Sequence, residues 1–165
     1  MTADKWKPIP NLDKNCFGCG KDNPTGLKMT FESNSTKVRS RVTVPEHMRG
    51  WNNIVHGGIL STICDEIMAW SAIYLTRKFI LTRNLNITFL KPVIIETELT
   101  ATGMIKTQSS ERHAILSGEI RNPEGERVTA CEGEFILFSE EQFRPLNIVP
   151  EKFIDTVTRS IFTAP

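Results

Sequence analysis

Between residues 56 and 76 apolar side chains dominate without forming one narrow stripe: Ile59, Leu60, Ile63, Cys64, Ile67, Met68, Trp70, Ile73, Tyr74 and Leu75. So wide an apolar surface predicts a helix enclosed on most sides, from His56 to Thr76, about 30 Å long at ~1.5 Å per residue. Upstream the period is two. Leu27, Met29 and Phe31 alternate with polar neighbours, as do Val38, Ser40, Val42 and Val44 before Pro45, so both stretches read as half-buried strands. Pro45 to Val55 is a loop, with Gly50 and Asn52-Asn53 as turn formers. Downstream, four further strands are expected: Leu81–Phe89, Glu96–Thr107, Arg112–Arg121 and Arg127–Phe138, the last two joined by the turn Asn122-Pro123-Glu124-Gly125. Two strands, one long helix and a meander of strands predict an α+β domain, an antiparallel sheet curled round a central helix. Residues 1–26, with Pro8, Pro10, Pro24 and three glycines, read as an irregular lead-in. Residues 27–139 form the domain, and 140–165 a tail with a short helix over 151–161.

Composition narrows the class. The 165 residues carry 20 Lys+Arg against 19 Asp+Glu, a net charge of +1, which disfavours a dedicated nucleic-acid binder. The stretch from Ile59 to Leu75 is short for a membrane span and carries Asp65 and Glu66 at its middle, so a buried helix and no membrane partner are expected. The first residues, Met-Thr-Ala-Asp-Lys-Trp-Lys-Pro, lack the apolar core of a signal peptide. Four cysteines are too few for a disulfide framework. A cytoplasmic protein with reduced thiols is therefore expected.

Candidate chemistry concentrates at the start of the helix. Gly57 and Gly58 open it, exposing backbone N–H groups that have no intrahelical acceptor and lie at the positive end of the dipole. A carbonyl becoming tetrahedral could be stabilised there, although glycines also open helices for close packing. Asp65 and Glu66 are the only charged residues between Ile59 and Leu75, and a carboxylate in so apolar a helix must be paired, solvated or used. Ser61 and Thr62 share the face of Asp65 and are expected to orient it; Glu66 reads as a paired or solvated acid. Eight residues separate Gly57 from Asp65, about 12 Å along the axis. One helix therefore cannot bring both to one carbon, whereas two antiparallel copies across a two-fold axis could. Cys16-Phe17-Gly18-Cys19 is a C-x-x-C with no second pair nearby, so no metal site is expected. Cys64 and Cys131 read as core residues, and His47 and His113 as surface or strand residues without a partner.

His56-Gly57-Gly58, followed nine residues after the histidine by Asp65, resembles the H-G-G-x6-D motif of hotdog-fold thioesterases of the PaaI-like group. Thr82 to Val93, ending Lys91-Pro92-Val93, resembles that family's third strand. Gly18-Cys19-Gly20 with Asn23-Pro24-Thr25-Gly26-Leu27 is similar to a lead-in found in one branch. The resemblance spans about residues 15–138.

It implies a hotdog fold, at least a homodimer (or a homotetramer built as a dimer of dimers), and hydrolysis of an acyl-coenzyme A thioester without cofactor or metal. By the same resemblance, the Gly57 amide would polarise the carbonyl. Asp65 of the facing subunit would act as base or nucleophile, His56 would shape the loop, and Thr82 would orient the water. Gly58, Thr62, Asn53 and Arg83 are the expected substrate contacts, with Lys91 and Arg121 as further candidates for the coenzyme phosphates. Many relatives carry an asparagine where this chain has Gly50, and Asn52 or Asn53 could substitute. A non-catalytic acyl or acyl-CoA binding module on the same fold is the alternative.

Overall fold

The computed structural model describes residues 5–163; the first four residues of the expected lead-in and the last two of the tail lie outside them. Seven strands form one antiparallel sheet: β1 (Lys7–Ile9), β2 (Phe31–Ser33), β3 (Val38–Thr43), β4 (Phe79–Phe89), β5 (Glu98–Ser110), β6 (His113–Arg121) and β7 (Arg127–Phe138), in the order β1-β2-β3-β5-β6-β7-β4. The long helix α1 (Gly57–Thr76) packs across β3, β4, β5, β6 and β7.

Side-chain alternation accounts for this arrangement. Leu99 and Ala101 on β5, Ala114, Leu116 and Ile120 on β6, and Phe135 and Leu137 on β7 are all buried, and meet Ile63, Cys64, Ile67 and Met68 of the helix in one core. In β5 the register slips between Ile105 and Thr107, and beyond it the strand continues as an exposed arm to Ser110, further than the polar sequence suggested. Gly125, at φ 78°, closes the β6–β7 turn by donating to the Asn122 carbonyl at 2.9 Å.

Two upstream expectations change. Leu27 and Met29 are buried as the alternation predicts, yet lie outside any strand: their N–H groups donate to the carbonyls of Phe17 (2.9 Å) and Gly18 (3.0 Å). The lead-in loop thus replaces a neighbouring strand. The lead-in is also less irregular than its prolines imply, because Lys7–Ile9 adds a strand to β2, with Lys7 opposite Ser33. Proline is tolerated there because the strand lies at the sheet edge.

The tail completes the core. Ser139 and Gln142 form a capping box for the short helix α2 (Glu140–Phe143). Phe143 stacks on Phe79 at 4.5 Å, and α3 (Glu151–Val157) with the π turn after it buries Ile154, Val157 and Ile161. Arg144 ties these pieces together through Glu140, Glu151 and Asp155.

Length and apolar composition would allow α1 to cross a membrane. In this fold its apolar positions are instead spent on the sheet, with Leu60, Ile63, Cys64, Ile67, Met68, Trp70 and Ala72 buried. Leu116, fully buried on a central strand, tests this core: Leu116→Ala is expected to lower the unfolding free energy by about 2–5 kcal/mol, read from urea denaturation.

Candidate active site

His56 precedes α1 with extended backbone (φ −62°, ψ 134°) and caps it: its Nδ1 accepts from the Gly58 N–H at 2.9 Å. That contact explains the second glycine, since a Cβ at Gly58 would stand 3.1 Å from Nδ1. It also changes the expected role of Gly58, whose amide is engaged by the histidine instead of facing a ligand. The Gly57 N–H, first in the helix, has no acceptor among the described residues. The diglycine therefore presents one free donor.

The loop before it folds back tightly. Gly50 donates to the Ile54 carbonyl at 2.7 Å, and a Cβ there would lie 3.2 Å from His56 Cα, so the close approach of the loop suits a glycine. The Asn53 carbonyl accepts from the Ile95 N–H at 3.0 Å while its exposed side chain makes no hydrogen bond among the described residues. Two surface depressions meet at Gly57, one walled by Arg49, Trp51 and His56, the other by Leu60, Phe89 and Pro92.

Two turns further along α1, Asp65 accepts a hydrogen bond from Thr82 Oγ1 on β4, 2.9 Å from its Oδ1. Burial pushes the Asp65 carboxyl above the usual range, and the Thr82 hydroxyl draws it part of the way back. Thr82, expected to orient the water, here bonds the carboxylate itself. The expected orienting role of Ser61 and Thr62 does not appear: Ser61 donates to the Gly57 carbonyl (2.9 Å) and Thr62 to that of Gly58 (3.0 Å), each satisfying a carbonyl one turn back.

Thr82 faces α1 because it pairs with the buried Phe135, while the register shifts between Thr82 and Asn84. This bulge at Arg83 turns the arginine toward Glu134, 3.9 Å away. Of the other basic residues expected near a coenzyme, Lys91 pairs with Glu126 (2.6 Å) and Arg121 with Glu119 (2.7 Å). His113, expected to lack a partner, has two: Ser109 at 2.8 Å and Glu134 at 3.5 Å.

Glu66 is the functional candidate that sequence reasoning passed over. It turns away from solvent toward the lead-in, where its Oε1 lies 3.6 Å from Cys16 Sγ. The hydrogen bond from Cys19 brings the Cys16 thiol down to about 5, while burial and the neighbouring sulfur charge push Glu66 up to about 7. No spacing rule could have paired residues 50 positions apart.

Residues 52–129 match the family model of the thioesterase superfamily. The fold is the hotdog fold. Among solved structures, a thioesterase superfamily protein superposes on this hotdog chain with TM-score 0.69 and 24% identity, over 76% of this chain and 62% of its own. A hypothetical thioesterase of Streptococcus pneumoniae TIGR4, solved with coenzyme A, gives TM-score 0.59 and 24% identity over 63% and 82%. The E. coli PaaI protein, from the phenylacetic acid degradation operon, gives 0.62 and 22% over 68% and 81%. At these identities the likeness is one of fold. No curated protein matches the sequence.

The cap can be measured on its own. His56→Ala is expected to cost about 1 kcal/mol of stability, the usual loss for an N-cap acceptor, and to speed hydrogen exchange at the Gly58 amide.

Proposed function

We propose that this hotdog protein hydrolyses an acyl-coenzyme A thioester at two equivalent sites of a homodimer, each combining Gly57 of one copy with Asp65 of the other. The observation that carries this reading is the division of the site along one rigid helix. The free Gly57 amide and the Thr82-held carboxylate belong to the same α1, eight residues and about 12 Å apart.

Two features favour a second copy. On α1, Gly58, Thr62, Asp65, Ala69 and Ile73 recur at helical spacing and none is buried, so one face of the helix is left uncovered by the sheet. Beside it β4 is the last strand, 11 residues long, with no partner on its outer edge among the described residues; Leu81 and Phe89 on it are 42% and 52% exposed. A long unpaired edge strand is an aggregation hazard unless another strand pairs with it. An antiparallel copy would extend the sheet and lay the two bare helix faces together, bringing each Asp65 toward the other Gly57.

In such a site the Asp65 carboxylate, held at Oδ1 by Thr82, takes a proton from water through its other oxygen as that water attacks the thioester carbon. The negative charge gathers on the carbonyl oxygen, which accepts from the Gly57 N–H, the C–S bond breaks, and the departing coenzyme thiolate recovers the proton from Asp65. Direct attack by the carboxylate, with a mixed anhydride then hydrolysed, uses the same atoms. His56 keeps the Gly58 amide out of the reaction and fixes the direction of Gly57.

The acyl group has an apolar path. From Asp65 the uncovered face runs through Ala69 to Ile73, which lines a cavity of about 280 Å³ with Trp70, Phe79, Leu81, Phe143 and Ile161. Its walls favour a hydrocarbon or aromatic acyl chain over a charged one. Ile73→Trp is expected to lower kcat/KM for long acyl-CoAs about tenfold relative to short ones, the scale on which apolar pockets discriminate, in a thiol-release assay across acyl lengths.

The composite site has a sharper test. Asp65→Asn should cut kcat by about 10²-fold or more. Gly57→Pro deletes the donor at the one helical position where proline fits, after a His56 already extended, and should cost a comparable about 10²–10³-fold. Co-expressed, the two variants should recover about a quarter of the wild-type rate, because half the dimers then carry one intact site. Saturable acyl-CoA binding by the wild type without thiol release would assign the binding-module reading instead. Full turnover by Asp65→Asn would remove that residue from the chemistry.

A further inference from the structure

We propose that Cys16, Cys19 and Glu66 form a binding site for a thiophilic divalent metal ion of the zinc class, with three protein ligands and a fourth position open to solvent. The inference does not depend on the hydrolase reading.

The segment Cys16-Phe17-Gly18-Cys19-Gly20 is wound as a knuckle. The Cys19 N–H is directed at Cys16 Sγ (3.4 Å), the Gly18 N–H also approaches that sulfur, and the Gly20 N–H closes the turn on the Cys16 carbonyl at 2.9 Å. Amides aimed at a sulfur stabilise its thiolate, the form that binds metal.

Glu66 brings the third donor atom from the middle of α1, and all three ligand atoms lie within 4.8 Å of one another. A tetrahedral zinc with Zn–S about 2.3 Å and Zn–O about 2.0–2.2 Å separates a sulfur from an oxygen ligand by about 3.5–3.6 Å. Cys16 Sγ and Glu66 Oε1 stand 3.6 Å apart.

The surroundings are fitted to that carboxylate. A Cβ on Gly18 would fall 2.3 Å from both Glu66 Cγ and Cδ, so the glycine is the floor on which the acid rests. Trp70, one turn beyond Glu66 on α1, is fixed by stacking on Phe31 at 5.1 Å.

None of the ion pairs among the described residues brings a Lys, Arg or His to Glu66. A divalent cation would supply the missing positive charge, displacing protons from the cluster as it binds. Cys16 and Glu66 are only half-buried, which leaves a way in for the ion and for a water in the fourth position. In the sequence the C-x-x-C stood alone because its third ligand is on another element.

The test uses the full chain, reduced and stripped of metal, dialysed against Zn²⁺ or Co²⁺. One ion per chain is expected, with Co²⁺ showing sulfur-to-metal charge transfer and intense tetrahedral ligand-field bands, and with Zn²⁺ raising Tm. Glu66→Gln should weaken binding at least tenfold and remove the Tm increment. Cys19→Ser should abolish the charge-transfer band, whereas Cys131→Ala, which also loses one thiol, should keep the metal. Absence of stoichiometric metal from the reduced wild-type chain overturns the proposal, as does binding unchanged in both Glu66→Gln and Cys19→Ser. A Cys16–Cys19 disulfide formed by mild peroxide in a chain that holds no metal would mark the pair as a redox couple instead.

Discussion

Burial of α1 against five strands sets where every functional group can be. The apolar residues of the helix face the sheet, and their packing against Leu99, Leu116, Phe135 and Leu137 fixes how the helix is rotated about its axis. Once rotation is fixed, so is the direction of each remaining side chain. Asp65 emerges at the border between helix and β4, where Thr82 reaches it, and Glu66 emerges on the side where the lead-in crosses. The polar groups hold positions that the apolar core has already chosen, which lets a carboxyl be partly desolvated without leaving its single hydrogen-bond donor.

The start of the helix obeys a different constraint. Its first amides lack carbonyl partners, and a side chain must satisfy some of them. His56 takes the Gly58 amide and leaves that of Gly57, so the histidine works by subtraction. A serine or aspartate could serve as cap equally well by general preference. An imidazole adds bulk beside the preceding loop, where Gly50 passes close to the His56 backbone.

Much of this architecture was legible from periodicity, because burial and alternation are local properties of a chain. The helix is found one residue from its expected start, with the residue before it acting as cap, and β7 lies between its expected limits. Long-range partners were less legible. Ser61 and Thr62 lie at a spacing that serves equally for orienting Asp65 and for bonding the carbonyl one turn back, and nothing in the sequence decides between them. The alternation at Leu27 and Met29 reported burial correctly but not the partner, since the carbonyls of Phe17 and Gly18 substitute for a strand. The family motif drew attention to Thr82 and Asp65 separately but not to the bond between them, and the Glu66 contact with the cysteines gave no sequence signal at all. Both depend on which faces the sheet brings together.

Asp65 and Glu66 are consecutive, so their side chains leave the axis about 100° apart like two spokes on one axle. One spoke is gripped by the strand at Thr82, the other by the loop at Gly18 and the two sulfurs. The two grips thus hold adjacent residues of one helix from two sides. The short polar interruption in an otherwise oily helix is thereby its point of anchorage.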